Sequence, residues 1–299
     1  MPKFTLLYFN KQFPDDQACR KFLEQELWNN VPTCPYCGNQ QKIYRYKNGK
    51  LFKCAHCQKQ FQVTTGTIYE GSNIPLQKWL LTFYLLSASK KGISSCELAK
   101  IIGVTQCTAW HLLHKIRLSH CHAEEKQLQG IVECDETYVG GRHKGKRGRG
   151  AEKSAVFGAV ERKGNITVTP VENAKRKTLD PIIRRKVTLG SRIMSDEWPA
   201  YNKLRDGYTH EVVKHKQKEY VRGQVHTNTI EGAWSHLKRT LLGTYHRPSK
   251  KHLGKYCAEF EFNYNTRNNL PEIKFRKIVR RNNIRVKYAD VVYLIVKIL

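Results

Sequence analysis

The spacing of apolar residues changes period along the chain, and each change marks a different kind of element. From Lys42 to Lys53 apolar and polar residues alternate around Asn48-Gly49, which predicts a β-hairpin closed by a tight turn. From Pro75, which suits the first position of a helix, Trp79, Leu80, Phe83, Tyr84 and Leu86 keep helical spacing. Ser94-x-x-Glu97 reads as a capping box before Leu98-Ala-Lys-Ile-Ile. Gly103 makes a turn, Thr105 can cap again, and Trp110, Leu113 and Ile116 line one face of the next helix. Helix, glycine turn and helix predict a helix-turn-helix, although a three-helix packing unit that binds nothing has the same pattern.

From about Gly130 the period shifts to two. Strands are predicted at Ile131–Val139, Ala155–Glu161, Ile166–Val171 and Arg192–Asp196, with a less regular one at Glu211–His215. Thr178–Val187 reads as helix, with Leu179, Ile182, Ile183 and Val187 in register. Three strands in hairpin-like succession, then helix, strand and further helix, predict a mixed α/β sheet. Past roughly Asn269 the chain is basic, and its pattern assigns no function.

Composition adds a partner. The 299 residues hold 53 Lys and Arg against 25 Asp and Glu, a formal charge of +28. That length allows one large or two to three small domains with a real core, and 40% hydrophobic content excludes a wholly disordered basic tail. So large a charge repels itself unless a polyanion is bound, which points to nucleic acid. No amphipathic or lipidated anchor suggests a membrane partner, the N-terminal residues do not form a signal peptide, and the final run Val291–Leu299 is too short to span a bilayer. A cytoplasmic, nucleoid-associated protein is expected, in which clustered cysteines bind metal rather than form disulfides.

Cys34-Pro-Tyr-Cys37 and Cys54-Ala-His-Cys57 are separated by residues 38 to 53. Two such knuckles joined by a hairpin bring four thiolates around one structural Zn²⁺, the pattern of a zinc ribbon. Two unrelated cysteine pairs are the bland alternative. A redox pair is disfavoured because no βαβ pattern surrounds either knuckle, and His56 reads as a bystander.

Three acids stand in settings that suit metal-bound carboxylates. Asp135 interrupts the apolar strand Ile-Val-Glu-Cys-Asp-Glu-Thr-Tyr-Val, where a lone carboxylate is costly. Glu136 faces the opposite side, and alternation alone does not say which of the two points at a site. Asp196 ends a strand, though it could equally be a turn residue before Trp198-Pro199. Glu231 opens a helix, with Trp234, Ser235 and Lys238 predicted on its face; its alternative is a capping box, Asn228-x-x-Glu231. Carboxylates on two strands and a helix are what two divalent cations need to cut a phosphodiester. Gly140-x-x-x-x-Gly145-Lys146 nearly spells a P-loop, but Arg147 replaces the Ser or Thr that would hold Mg²⁺. Arg142, Lys144, Lys146, Arg147 and Arg149 instead read as a loop lying on a DNA backbone, and Lys115 and Arg117 as DNA contacts of the helix-turn-helix.

Together, Cys34–Cys57, Asp135-Glu-Thr-Tyr-Val-Gly-Gly, Ser195-Asp-Glu-Trp-x-x-Tyr201 and His226-Thr-Asn-Thr-Ile-Glu-Gly-x-Trp-Ser-x-x-Lys238 resemble bacterial insertion-sequence transposases of the group with an N-terminal zinc ribbon and a DDE-type domain, related to the Merlin superfamily. The resemblance covers about residues 10 to 269. It implies a multidomain α/β chain: zinc ribbon over 1–66, helix-turn-helix over 67–125, RNase H-like DDE domain over 126–275 and an unassigned basic tail over 276–299. Asp135, Asp196 and Glu231 would hold two Mg²⁺ (or Mn²⁺); some members use an Asn at the place of Asn228, whereas charge favours Glu231. Lys238 would contact phosphate. The implied activity is cleavage at transposon ends and strand transfer of the 3′-OH into double-stranded DNA, by a homodimer or larger assembly. Rival readings are a non-enzymatic or inactivated DNA-binding regulator, and an RNase H-like resolvase or nuclease without joining.

Overall fold

A computed structural model describes residues 4–122, 126–140, 153–202, 204, 206–214, 217, 219, 221–246 and 248–293. The basic loop residues Arg142, Lys144, Lys146, Arg147 and Arg149 lie outside them. The chain forms two units, Met1–His120 with Asn268–Leu294, and Cys121–Arg267.

The first unit opens with helices α1 (Leu6–Gln12) and α2 (Asp16–Trp28), capped by the side chains of Thr5 and Asp15. Strands β1 (Ile43–Arg45), β2 (Phe52–Cys54) and β3 (Gln60–Phe61) form an antiparallel ribbon in that order. Its turn is the one Asn48-Gly49 predicts: Asn48 Oδ1 accepts from the amides of Lys50 and Leu51, and Gly49 takes φ +67°. Helices α3 (Leu76–Ala88), α4 (Ser95–Ile102) and α5 (Gln106–Cys121) follow. Ser94 Oγ caps α4 at the Glu97 amide (3.1 Å), Gly103 closes it at φ +62°, and Thr105 caps α5 at the Thr108 amide (3.2 Å).

After residue 267 the chain returns to this unit. Helix α9 (Pro271–Arg281) inserts Phe275 among Phe4, Phe13 and Phe22, and the buried Glu26 carboxylate on α2 accepts from Arg276 and from Arg280 Nε (3.0 Å). A carboxylate this buried is tolerated because two guanidinium groups satisfy it. A short helix α10 (Tyr288–Tyr293) ends the described chain.

The second unit is a five-stranded sheet, β4 (Ile131–Val139), β5 (Ser154–Glu161), β6 (Ile166–Val171), β7 (Arg192–Asp196) and β8 (Thr209–Val213), in the spatial order β6-β5-β4-β7-β8. The first three strands are antiparallel, and β7 and β8 run parallel to β4. This is RNase H-like topology. The last strand lies two residues earlier than its sequence pattern suggests. Helix α6 (Arg176–Lys186) lays Leu179, Ile182 and Ile183 on one face, against Val132, Cys134, Phe157 and Ile193. Helices α7 (Asn228–Thr240) and α8 (Leu253–Asn265) cover the other, with Ile230, Trp234, Leu237 and Phe260 on Val156, Val160 and Val168. Each of these buried side chains contributes roughly 1.5–3 kcal/mol, so the helices are seated from both sides of one sheet. Among the described residues no helix is long and apolar enough to cross a membrane.

One glycine makes the α7 seat possible. Gly158 pairs with Asp135 across β4 and β5, and a Cβ there would stand 2.4 Å from Trp234 Cη2 and 2.7 Å from Cζ2. Gly158→Ala is therefore expected to destabilise the protein by about 1–3 kcal/mol and to alter the tryptophan emission of the folded state. Urea unfolding followed by fluorescence checks it; an unchanged midpoint and spectrum would remove Gly158 from this role.

Candidate active site

Strand alternation decides what each acid of β4 can do. Cys134 and Tyr138 pack on the α6 face, and Glu136 points the same way, where its Oε2 accepts from the buried Tyr201 hydroxyl (2.8 Å). Glu133 and Asp135 take the α7 face. Glu133 accepts from the first turn of α7, and Asp135 Oδ2 accepts from the indole Nε1 of Trp234 (2.9 Å). Of the adjacent pair, Asp135 is the carboxylate beneath α7.

Asp196 joins it through register. Glu133 pairs with Met194 in the parallel β4–β7 ladder, so Asp135 and Asp196, each two residues on, come level on one face of the sheet. Asp196 also serves the turn, since its Oδ1 accepts from the Trp198 amide (3.0 Å). Burial, then the charges of Glu136 and Asp196, push the Asp135 carboxyl up to about 7, against the pull of a backbone amide and the Trp234 indole. Burial and acidic neighbours thus outweigh the two hydrogen bonds that favour the ionised Asp135.

On α7, Asn228, Glu231, Ser235 and Lys238 form an exposed ridge, while Trp234 turns inward. The predicted common face thus splits, because Trp234 fills the space left by Gly158. The Asn228–Glu231 capping box is not made: Thr227 is the N-cap residue, and Glu231 Oε1 accepts from the Thr227 hydroxyl (2.9 Å). The Glu231 amide instead donates to the Thr227 carbonyl (3.1 Å), and two other amides of this first turn are taken by Glu133, whose Oε2 accepts from Thr229 N (2.8 Å) and Ile230 N (3.0 Å). Asp135, Asp196 and Glu231 do not converge within 4.8 Å; among the described residues only Cys34, Cys37, Cys54 and Cys57 do so as a set of three or more metal-ligand types.

The cysteine set fits its metal closely. Cys34 Sγ and Cys57 Sγ are 3.6 Å apart, and Cys37 Sγ and Cys54 Sγ 3.7 Å. Sulfurs on a tetrahedral Zn²⁺, with Zn–S near 2.3 Å, stand about 3.8 Å from one another. The remaining expected contacts are placed differently. Arg117 is 2% exposed, and Lys115 donates to the Ile68 carbonyl (3.2 Å) while burial lowers its pKa. Arg117 is enclosed where α5 packs, whereas Lys115 is half-buried.

Sequence reasoning missed Glu133, Arg162 and Gly158. Glu133 had a usable signal: a second acid in an apolar strand, with the same parity as Asp135. Gly158 had none, since its value depends on a tryptophan 76 residues away in sequence (234 against 158).

The sequence profile of the ISXO2-like transposase domain matches residues 127–265, and that of a transposase zinc-ribbon domain matches residues 14–60. An uncharacterized protein in transposable element ISH50 of Halobacterium salinarum is 30% identical over 273 residues, spanning 84% of this chain and 91% of that protein. A crystal structure of a pre-cleavage Mos1 transpososome aligns with 70% of this chain and 80% of that one at 12% identity, with a TM-score of 0.25, too low to inform the fold.

Two outcomes follow from the site itself. Asp135 holds its proton more tightly folded, at about 7, than at the ordinary value of 3.8. Metal-free stability should therefore fall as pH rises from about 4 to 7, at up to about 1.4 kcal/mol per unit. Asp135→Asn should raise Tm by several degrees at pH 8 and by much less near pH 4; equal gains at both would contradict it. Stripping zinc with a strong chelator, or Cys54→Ser, should make the ribbon protease-sensitive while the second unit stays folded, as limited proteolysis would show.

Proposed function

This chain belongs to the ISXO2-like transposase family, and we propose that it cleaves the ends of its insertion sequence and transfers the freed 3′-OH into target DNA. The observation that carries the reading is Asp135 level with Asp196 on adjacent parallel strands beneath α7, where burial and acidic neighbours make Asp135 resist ionisation. Such an all-oxygen, anionic set fits Mg²⁺ or Mn²⁺.

Asp135, Asp196 and Glu231 would hold two divalent cations, with Asn228, one turn earlier on the same ridge, the alternative third ligand. When bound, the cations supply an activated water and stabilise the departing 3′ oxygen. The chain's own residues do the rest. Trp234 fixes the rotamer of Asp135 through its indole N–H, and the Trp198 amide fixes Asp196. Thr227 restrains Glu231, and Lys238, two turns along the ridge, is free of the core and placed to meet a phosphate beside the cations. Loop residues Arg142 to Arg149 would lie on the backbone and position without reading sequence.

DNA ends would be held by the zinc ribbon and helix-turn-helix. The sequence has no Asp or Glu from residue 27 to 69, a stretch with six Lys and Arg, at 42, 45, 47, 50, 53 and 59. Tyr36 and Tyr44 there are 50% and 60% exposed. A ribbon free of acids with exposed tyrosines suits double-stranded DNA. Joining two ends requires at least a dimer on DNA, working in the cytoplasm at the nucleoid.

The test is cleavage and joining of labelled DNA carrying the element's terminal repeats, with Mg²⁺. Wild type should nick and transfer, and Asp196→Asn should lose at least a hundredfold in both. Loss in Glu231→Gln assigns the third ligand to Glu231; retention there, with loss in Asn228→Ala, moves it to Asn228. Cutting of branched DNA without joining would indicate a resolvase, and DNA binding with no cleavage a regulator; either overturns the proposal.

A further inference from the structure

The acid two residues before Asp135 is spent on α7. Glu133 is fully buried, and each of its oxygens is used: Oε2 accepts the amides of Thr229 and Ile230, and Oε1 accepts the Thr229 hydroxyl (2.9 Å) and Arg162 Nε (2.7 Å). His226 Nδ1 lies 3.3 Å from Oε1. Arg162 extends the clamp, donating to the carbonyls of Gln224 (2.7 Å) and His226 (3.0 Å) in the segment that leads into α7. Glu133 thus binds the helix start from a strand, satisfying amides that no local cap reaches.

Apolar packing of Ile230, Trp234 and Leu237 would seat α7 on the sheet without this clamp, but such contacts let a helix slide and roll. Charge-assisted hydrogen bonds are directional and fix its register. The strand that carries Glu133 carries Asp135 on the same face, and the turn that Glu133 holds carries Asn228 and Glu231. We infer that Glu133 is a positioning residue: it sets the spacing between Asp135 and the third ligand on α7, and so the affinity of the carboxylate site for divalent cations. Its own carboxylate, neutralised by Arg162, is not available to a cation. The inference rests on the proposed metal-dependent site, so its test must separate the two.

Tb³⁺ is a luminescent stand-in for a hard divalent cation, and Trp234, bonded to Asp135, is placed to sensitise it. Wild type, Asp135→Asn, Glu133→Gln and Thr229→Val would be titrated with Tb³⁺, then competed with Mg²⁺, and their folded state checked by circular dichroism. Thr229→Val removes one donor to Glu133 without stranding a buried charge, so it stays informative if Glu133→Gln does not fold. Asp135→Asn should abolish sensitised emission. Glu133→Gln should weaken Tb³⁺ and Mg²⁺ binding about 10- to 100-fold, and Thr229→Val severalfold, with a matching rise in the Mg²⁺ needed for half-maximal cleavage. If Asp135→Asn binds Tb³⁺ like wild type, the catalytic site itself is misread. If Asp135→Asn loses binding but folded Thr229→Val and Glu133→Gln keep wild-type affinity and Mg²⁺ dependence, Glu133 is only a structural cap and the inference is overturned. Should Glu133→Gln fail to fold, unchanged affinity in Thr229→Val alone overturns it.

Discussion

Putting a carboxylate into an apolar layer is costly unless something compensates the charge, and β4 puts three there. Each is handled in a different way. Glu133 is matched by a guanidinium and a helix N-terminus, and Glu136 by a buried tyrosine hydroxyl. Asp135 receives an indole N–H and a backbone amide, which do not offset its burial and its acidic neighbours. The two compensated acids hold the architecture on either face of the sheet. The third stays costly to ionise. The same strand therefore carries the acids that hold helices on both faces of the sheet and the candidate metal ligand Asp135, and alternation decides which face each takes.

Much of this is legible in the sequence. Strands β4 to β7 and helix α6 stood out because half-buried strands and amphipathic helices impose unmistakable periods. The cysteine spacing fixed the ribbon, and Asp135 was conspicuous for being charged where its neighbours were not. Helices α1 and α2 escaped notice: α2 buries Glu24 and Glu26 beside Phe22 and Leu23, so acids stand where a helical stripe should be apolar. They are acceptable there only through arginines distant in sequence, Arg45 for one and Arg276 with Arg280 for the other. The same kind of long-range dependence hid α9, whose basic residues look like a solvated tail until Glu26 and Phe275 are seen in place.

The site itself was half legible. Residue types and their elements could be named, but the facing of side chains could not. Trp234 was grouped with Glu231 by helical spacing, yet it belongs to the buried side, because a missing Cβ across the sheet makes room for its ring. Lys115 and Arg117 read as phosphate contacts on charge alone; the burial of Arg117 depends on how α5 is enclosed, while Lys115 is half-buried. A capping motif at Asn228 is sound local chemistry, but α7 starts one residue earlier, with Thr227 at the N-cap position.

The return of residues 268–294 to the first unit has a consequence for how the protein is made. The ribosome releases α9 only after the entire sheet-bearing unit has been synthesised, so the amino-terminal unit stays without one of its core helices until then. Phe13, Phe22 and Glu26 wait for their partners through that interval. A transcript cut short by a premature stop between the two segments would yield a fragment with an exposed aromatic surface and an unpaired buried acid.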